Sequence, residues 1–347
     1  MAYSPLVSTS NLGDVSKTAY DRLAYFSLRP ELYFDQVADV MPTAQSMPGA
    51  SVQFTIVSDL AVASGTIRET ADISPVTMSD STVTVTLGEY GNAVATTAKL
   101  RGTAFIEIDP VVANVIGYNA GVSMDSVARD TLRNFVLTNQ GNGTGGTYWV
   151  NSTSGTLSAT NTTTTTNGVA STTTTWTGTG TTVTGKDFAK QRAALRSSNV
   201  PSFGGFYAAY VHPDVVYDIQ QDTGTAGWRL PHIYSQPGEI WSGEMGAFEG
   251  FRFIETPRAP VWKDAISTTD VYMSLCVGRQ ALAKAHSITD GNGAVPHIIP
   301  GPITDALRRF VPLGWYWLGG YSGFRAAAAN AVVSTSSLPY VDPAINN

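Results

Sequence analysis

The chain has 347 residues, of which 43% are hydrophobic and 14% charged, with 33 glycines, one cysteine and a formal net charge of −6. The length suits two domains, or one domain with large insertions, while the charged fraction falls well below the roughly 25% of an average soluble domain. A lone Cys276 excludes an intrachain disulfide framework and any cysteine-built zinc or iron–sulfur site, and the acidic balance argues against a dedicated nucleic-acid binder with a broad basic face.

The amino terminus, MAYSP, lacks a basic cluster followed by an apolar core and does not read as a secretory signal. Residues 1–48 read as an extended arm with helical pieces. Leu23, Tyr25, Phe26, Leu28, Leu32, Phe34, Val37 and Val40 form an amphipathic pattern that Arg29-Pro30 interrupts, because proline excludes the α conformation for its predecessor. So many aromatic side chains need a surface to lie on. That surface is either the chain's own core or a neighbouring subunit.

Residues 50–100 alternate with period two. Val52, Phe54 and Ile56 share one side, and Val83, Val85 and Leu87 repeat the pattern opposite Thr82, Thr84 and Thr86. This predicts half-buried strands joined into a long two-stranded arm whose tip carries Arg68, Glu69, Asp72 and Asp80. An isolated ribbon is marginal in water, and no third strand is evident nearby, which hints at packing between subunits.

Residues 109–139 predict a long helix, with Asp109 at the cap, Pro110 in the first turn and apolar residues at Val112, Val115, Ile116, Leu132 and Val136. Gly117 and Gly121 weaken it by roughly 1 kcal/mol each relative to alanine and suggest close backbone packing or a bend. No charged residue stands between positions 133 and 186, and 17 of the chain's 42 threonines lie within 151–184. Spaced Trp149, Trp176, Val169 and Val183 favour a small β-insertion or hairpin displayed on a surface, with disorder as the alternative. Beyond it, Thr184 caps a predicted helix with Phe188 and Leu195 inward, GGFYAAYVHPDVVYDIQQD reads strand, stop, helix, and 251–254 is a short strand. The class is α+β. The longest apolar stretch, VPLGWYWLGGYSGF at 311–324, has 14 residues, too few for the about 20 of a bilayer span.

Catalytic constellations are missing. GNGTGG at 141–146 matches a dinucleotide fingerprint by letters but follows a helix rather than a strand. His212, His232, His286 and His297 have no metal-ligand spacing. His212 before Pro213 reads as a turn residue and Cys276 as a buried, inert thiol. Glu244 and Glu249 read as ion-pair partners rather than an acid/base pair. The expectation is a protein without catalytic residues, cofactor, metal or membrane span, made in a cytoplasm.

Three stretches then combine with the order of parts: FYAAYVHPDVVYD at 206–218, GEMGAFEGFRFIET at 243–256 and DALRRFVPLGWYW at 305–317. Together with the arm, ribbon and long helix, they resemble the tailed-phage major capsid proteins of the HK97-like fold. The resemblance implies an N-arm at 1–48, an extended E-loop at 49–100 and a peripheral-domain spine at 101–140. It further implies a Thr-rich insertion at 141–186, an axial domain at 187–300, and a return to the peripheral sheet plus a tail at 301–347. It implies self-assembly into hexamers and pentamers of an icosahedral head around double-stranded DNA contacted non-specifically. Portal and scaffolding proteins are implied partners, and a decoration or cement protein is left open. Arg68, Glu69, Asp72, Tyr25, Phe26 and Phe34 are the candidate subunit-interface residues. Some members weld neighbours by a lysine–asparagine bond through the E-loop; residues 51–98 contain no lysine, so a noncovalent shell is expected. An encapsulin-type compartment and a Thr-rich adhesin are the alternatives.

Overall fold

The computed structural model describes residues 33–42, 51–57, 60, 76–104, 108–140, 149–150, 158–166, 169–177, 182–222, 244–263, 270–287, 295–300, 305, 307 and 309–339. A 3₁₀ turn, Phe34–Val37, leads into β1 (Ala38–Pro42). The two alternating runs form β2 (Ser51–Val57) and β3 (Asp80–Thr86), paired antiparallel from Ser51↔Thr86 to Val57↔Asp80. After Leu87 the chain runs on as β4 (Gly88–Thr97) and a short α1 (Ala98–Thr103), whose Leu100 N–H is capped by the Thr97 hydroxyl oxygen at 3.2 Å.

The expected long helix is α2 (Ile108–Gln140), 33 residues. Ile116, Ala120, Met124, Ala128, Leu132 and Val136 are buried. They recur every fourth residue, the spacing that keeps side chains on one helix face. Gly117 departs from the expectation of close packing: a Cβ there would meet nothing within 4 Å.

The Thr-rich insertion contains β5 (Trp149–Val150) and an antiparallel ribbon, β6 (Ser158–Thr166) with β7 (Val169–Thr177). The hairpin alternative is therefore the one the backbone takes. Next comes α3 (Gly185–Ser197), where the Thr184 N–H donates to Asp187 Oδ2 at 3.1 Å in a capping box. Phe188 and Leu195 are fully buried, as the periodicity requires. Then β8 (Tyr207–Val211) stops at His212, which caps α4 (Pro213–Gln221) by accepting the Asp214 N–H at Nδ1, 3.3 Å away.

The remaining elements are β9 (Glu244–Phe248), β10 (Phe251–Glu255), β11 (Val261–Lys263), β12 (Asp270–Val277), β13 (Leu282–His286), β14 (His297–Pro300), β15 (Phe310–Gly323) and β16 (Ala329–Thr335). The β9–β10 connection uses Glu249 at φ 49° and Gly250 at φ 79°, the two positive φ values that a tight hairpin turn needs.

Two mixed sheets result. The five-stranded sheet runs β1-β13-β15-β14, with β4 on the other side of β15; the seven-stranded sheet runs β5-β16-β12-β8-β10-β9, with β11 against β12. The carboxy-terminal segment therefore serves both sheets, β15 in the first and β16 in the second. A large buried cluster joins α2, α3 and both sheets, and a smaller separate one consists of Phe54, Val85, Ala283 and Ala285.

Candidate functional site

Strand β15 organises the region that matters most, because both of its faces are covered. On the odd-numbered face lie Trp315, Trp317 and Tyr321, all buried. Helix α2 covers this face: the Trp315 indole N–H donates to Asn119 Oδ1 at 2.9 Å, and a Cβ at Gly323 would enter the Phe135 ring at 2.0 Å. The base of the β2–β3 hairpin covers the other face. Register places Ala285 beside Gly320 and Ala283 beside Ser322. Phe54 and Val85 sink onto the two alanines, with Phe324 edge-on to Phe54 at 6.0 Å between ring centroids. The expectation that the ribbon lacks local support is thereby corrected: its base lies on its own subunit's sheet. Farther out the support ends. Val57, Leu60, Val76 and Met78 are 55%, 55%, 70% and 66% exposed, an apolar group of the kind that marks a contact surface. A second exposed apolar group, Val295, Ile298 and Ile299, lies on and beside β14, at an edge of the five-stranded sheet.

Segment 33–42 is tied to the helix-covered face by charged groups, of which Asp35 is part-exposed and Lys284, Asp125 and Arg258 are buried. Asp35 accepts from Lys284 Nζ at 2.8 and 3.0 Å and from the Tyr321 hydroxyl at 2.5 Å. Lys284 is itself buried, 5.6 Å from the Trp317 ring and 5.5 Å from that of Tyr321. Asp125, on the inward stripe of α2, accepts the Phe34 N–H at 2.7 Å and the Asp35 N–H at 3.4 Å. Arg258 Nε stands 3.6 Å from Asp125 Oδ2, and its Nη2 donates to Val122 O at 3.1 Å and Ser126 Oγ at 2.6 Å. Burial is the largest influence on both partners of this pair: it pushes the Asp125 carboxyl up and the Arg258 guanidinium down, each only partly countered by the other's charge. This network binds backbone to core and acts as a fastening of segment 33–42, with Arg258 and Asp125 meeting as an ion pair rather than a hydrogen bond.

Of the six interface candidates, Phe34 is the one within the described residues. Its ring is 1% exposed and sits 4.7 Å from that of Tyr210. Phe34 thus takes the own-core alternative for the arm, because Asp125 and Tyr210 enclose it inside the subunit. Tyr25, Phe26, Arg68, Glu69 and Asp72 lie outside the described residues, as does the 141–146 glycine run. Cys276 is fully buried, with its thiol pushed up by burial. Glu249 pairs with Arg192 at 3.1 Å. Among the described residues no group of three or more His, Cys, Asp or Glu could hold a metal ion, and no helix is long and apolar enough to cross a membrane.

Sequence reasoning missed the fastening. Its four charges, Asp35, Asp125, Arg258 and Lys284, are scattered over 250 positions. The available signal was Asp125 itself, a carboxylate between Met124 and Ala128 on an apolar helix stripe.

The architecture has known counterparts. The capsid of cyanophage P-SCSP1u superposes with a TM-score of 0.65 at 15% identity, over 94% of this chain and 95% of that one. The capsid of Ralstonia phage GP4 gives 0.64 at 12%, over 98% and 100%. The cyanophage Pam1 capsid asymmetric unit gives 0.62 at 12%, again over 98% and 100%. These likenesses establish the HK97-like fold expected from the sequence. No curated protein sequence matches. A family model described as phage capsid protein matches residues 9–337, nearly the whole chain, and the protein therefore belongs to the phage capsid protein family.

Proposed function

We propose that this chain is the major capsid protein of a tailed-phage head, assembling with its own copies into hexamers and pentamers that enclose double-stranded DNA. The observation that carries this reading is the β2–β3 hairpin of a capsid-family chain. It is fixed at its base to the subunit's own sheet, yet it carries Val57, Leu60, Val76 and Met78 outward uncovered. Burying such side chains contributes roughly 1.5–3 kcal/mol each. Repeated around a closed shell of identical subunits, that burial outweighs exposed ion pairs worth about 0–1 kcal/mol.

The parts follow the family scheme in this proposal. Residues 1–48 form the N-arm, 49–100 the E-loop, 101–140 the spine of the peripheral domain and 187–300 the axial domain. Residues 301–347 return to the peripheral sheet and end in a tail, with β16 lent to the axial sheet. The Thr-rich 141–186 segment is an insertion. Arg68, Glu69 and Asp72 at the ribbon tip, with Tyr25 and Phe26 of the arm, contribute to contacts with neighbours. The shell resides in the virion and is built in the host cytoplasm with portal and scaffolding proteins as partners, a decoration or cement protein being left open.

Particle size decides the matter. Light scattering and electron micrographs of the purified protein are expected to give closed icosahedral shells, or capsomers that assemble into them. A persistent monomer under all assembly conditions overturns the reading, and a protein cargo in place of DNA moves it to a compartment shell. With no lysine in 51–98, boiled particles are expected to run as a single band at subunit mass on a denaturing gel.

A further inference from the structure

The crossing of β3 over β15 depends on one residue. Strand β4 pairs edge to edge with β15 as far as Gly88↔Gly319. The next β15 residue is Gly320, and there the chain leaves the sheet edge and climbs onto its face. A Cβ built on Gly320 would stand 2.1 Å from the Thr86 carbonyl oxygen and 3.4 Å from Val85 Cγ1. The obstacle is backbone, which cannot rotate away as a flexible side chain can. Around it the same face carries Ala283 and Ala285 beneath Val85 and Phe54.

We propose that Gly320 is the positioning residue for shell assembly: by admitting the Thr86 carbonyl to the face of β15, it sets the direction in which the E-loop hairpin leaves the subunit. This rests on the reading that the hairpin reaches a neighbour. A methyl group at 320 requires Thr86 to retreat by about 1 Å. With Val85 held by the apolar seat, and Thr86 about 3.8 Å beyond it along the backbone, such a retreat tilts the ribbon by about 15°. Along the five residues from the Val85 pivot to Asp80, about 17 Å, that carries the outer end about 4 Å from its place. Interfaces packed like protein interiors do not tolerate such a displacement.

The test compares full-length variants with the parent chain by subunit melting and by the yield and diameter of closed particles. Gly320→Ala is expected to keep the melting midpoint within a few degrees and to lower the yield of shells of parental diameter at least tenfold. Gly117→Ala, in open space on α2, is expected to raise the melting midpoint by a few degrees, as alanine in place of a mid-helix glycine does, and to leave shell yield and diameter unchanged. Parental shells at parental yield from Gly320→Ala overturn the proposal. If that variant does not fold, Val85→Ala decides. It loosens the pivot without a clash and is expected to broaden the diameter distribution, and an unchanged distribution overturns the proposal. Replacing residues 58–79 by a short Gly-Ser turn tests the underlying reading separately. Parental shells from that chain refute the hairpin's role in assembly. Shells lost there but intact in Gly320→Ala refute the positioning role alone.

Discussion

The chain contains two antiparallel ribbons of similar build and different attachment. The β2–β3 ribbon has seven paired positions and the β6–β7 ribbon nine. In the first, Val52, Phe54, Ile56, Val83 and Val85 alternate with polar residues, and Phe54 and Val85 are buried on Ala283 and Ala285. In the second, register brings Thr162 opposite Thr173 and Thr163 opposite Thr172; among the described residues the ribbon pairs with no other strand. Both have the hydrogen-bonded ladder and both have β-branched residues. The first ribbon adds an apolar face and a surface of small residues that receives it. Ladder and propensity form a ribbon, but burial fixes it to a body.

The sharpest way to break that contrast is Phe54→Ala. Truncating a buried phenylalanine costs about 3–5 kcal/mol, and here the loss falls on a cluster separate from the main core. The expected result is local: amide exchange in 51–57 and 80–86 accelerates to the level of 158–177, while the exchange of α2 and β12 is unchanged. Uniform acceleration across the subunit would mean that the ribbon and body form one cooperative unit.

A smaller effect separates apolar attachment from the charged fastening of segment 33–42. Asp125 titrates above the ordinary carboxylate range because it is buried, with Arg258 and the Phe34 and Asp35 amides opposing. A raised pKa in the folded state means that folding favours the protonated form. This contribution to stability is therefore complete at about pH 4 and below, and is lost as pH rises through the raised value. Asp125→Asn keeps an acceptor oxygen and does not titrate. The melting midpoints of parent and variant are expected to agree at acid pH, with the parent falling behind as pH rises. The parent gaining on the variant instead would show that pairing with Arg258 outweighs burial. Phe54→Ala should show no such pH dependence.

The ribbons and helices were legible in the sequence because each leaves one face in a different environment from the other. Alternation marked β2 and β3, helical spacing of apolar residues after Asp109-Pro110 marked α2, and Thr184 marked the start of α3. Strand β15 was not legible, and for the same reason. With α2 on one face and the hairpin base on the other, Leu313 to Gly323 has no polar side to alternate with, and it read only as an apolar run with glycines. Those glycines carried the message: Gly320 and Gly323 stand on opposite faces, each where another element comes too close for a Cβ. The fastening was hidden more deeply, since Asp35 meets Lys284 and Tyr321 only once the five-stranded sheet has formed. For the interface the sequence pointed to three charged residues of the ribbon tip and three aromatic residues of the arm, of which Phe34 is buried within the subunit.

The junction after the second ribbon gives an effect of about 1 kcal/mol. Thr184 closes the insertion and caps α3 through Asp187, and Thr184→Ala is expected to lower subunit stability by about 1 kcal/mol, the usual worth of such a cap. Urea denaturation measures this directly. A loss near zero would mean that the insertion's stem, anchored by the Thr182 bridge to Thr335, orders the helix start without the cap.

The smallest expected effect is the most informative about the insertion. Both of its stems run along β16: Val332 pairs with Trp149, Val333 with Val150, and Thr335 with Thr182. The body thus holds the insertion at its root. Replacing 158–177 by a short Gly-Ser turn should leave the subunit's unfolding free energy, from urea denaturation, within about 0.5 kcal/mol of the parent, as for surface changes that touch no buried group. It also shortens a loop, which by itself changes closure entropy only slightly. A loss of 2 kcal/mol or more would mean that the ribbon covers apolar surface on its own subunit, and the contrast between the two hairpins would then be one of degree. An unchanged subunit whose assembled particles melt lower would locate the ribbon's contribution between copies, where an uncharged edge is free to pair.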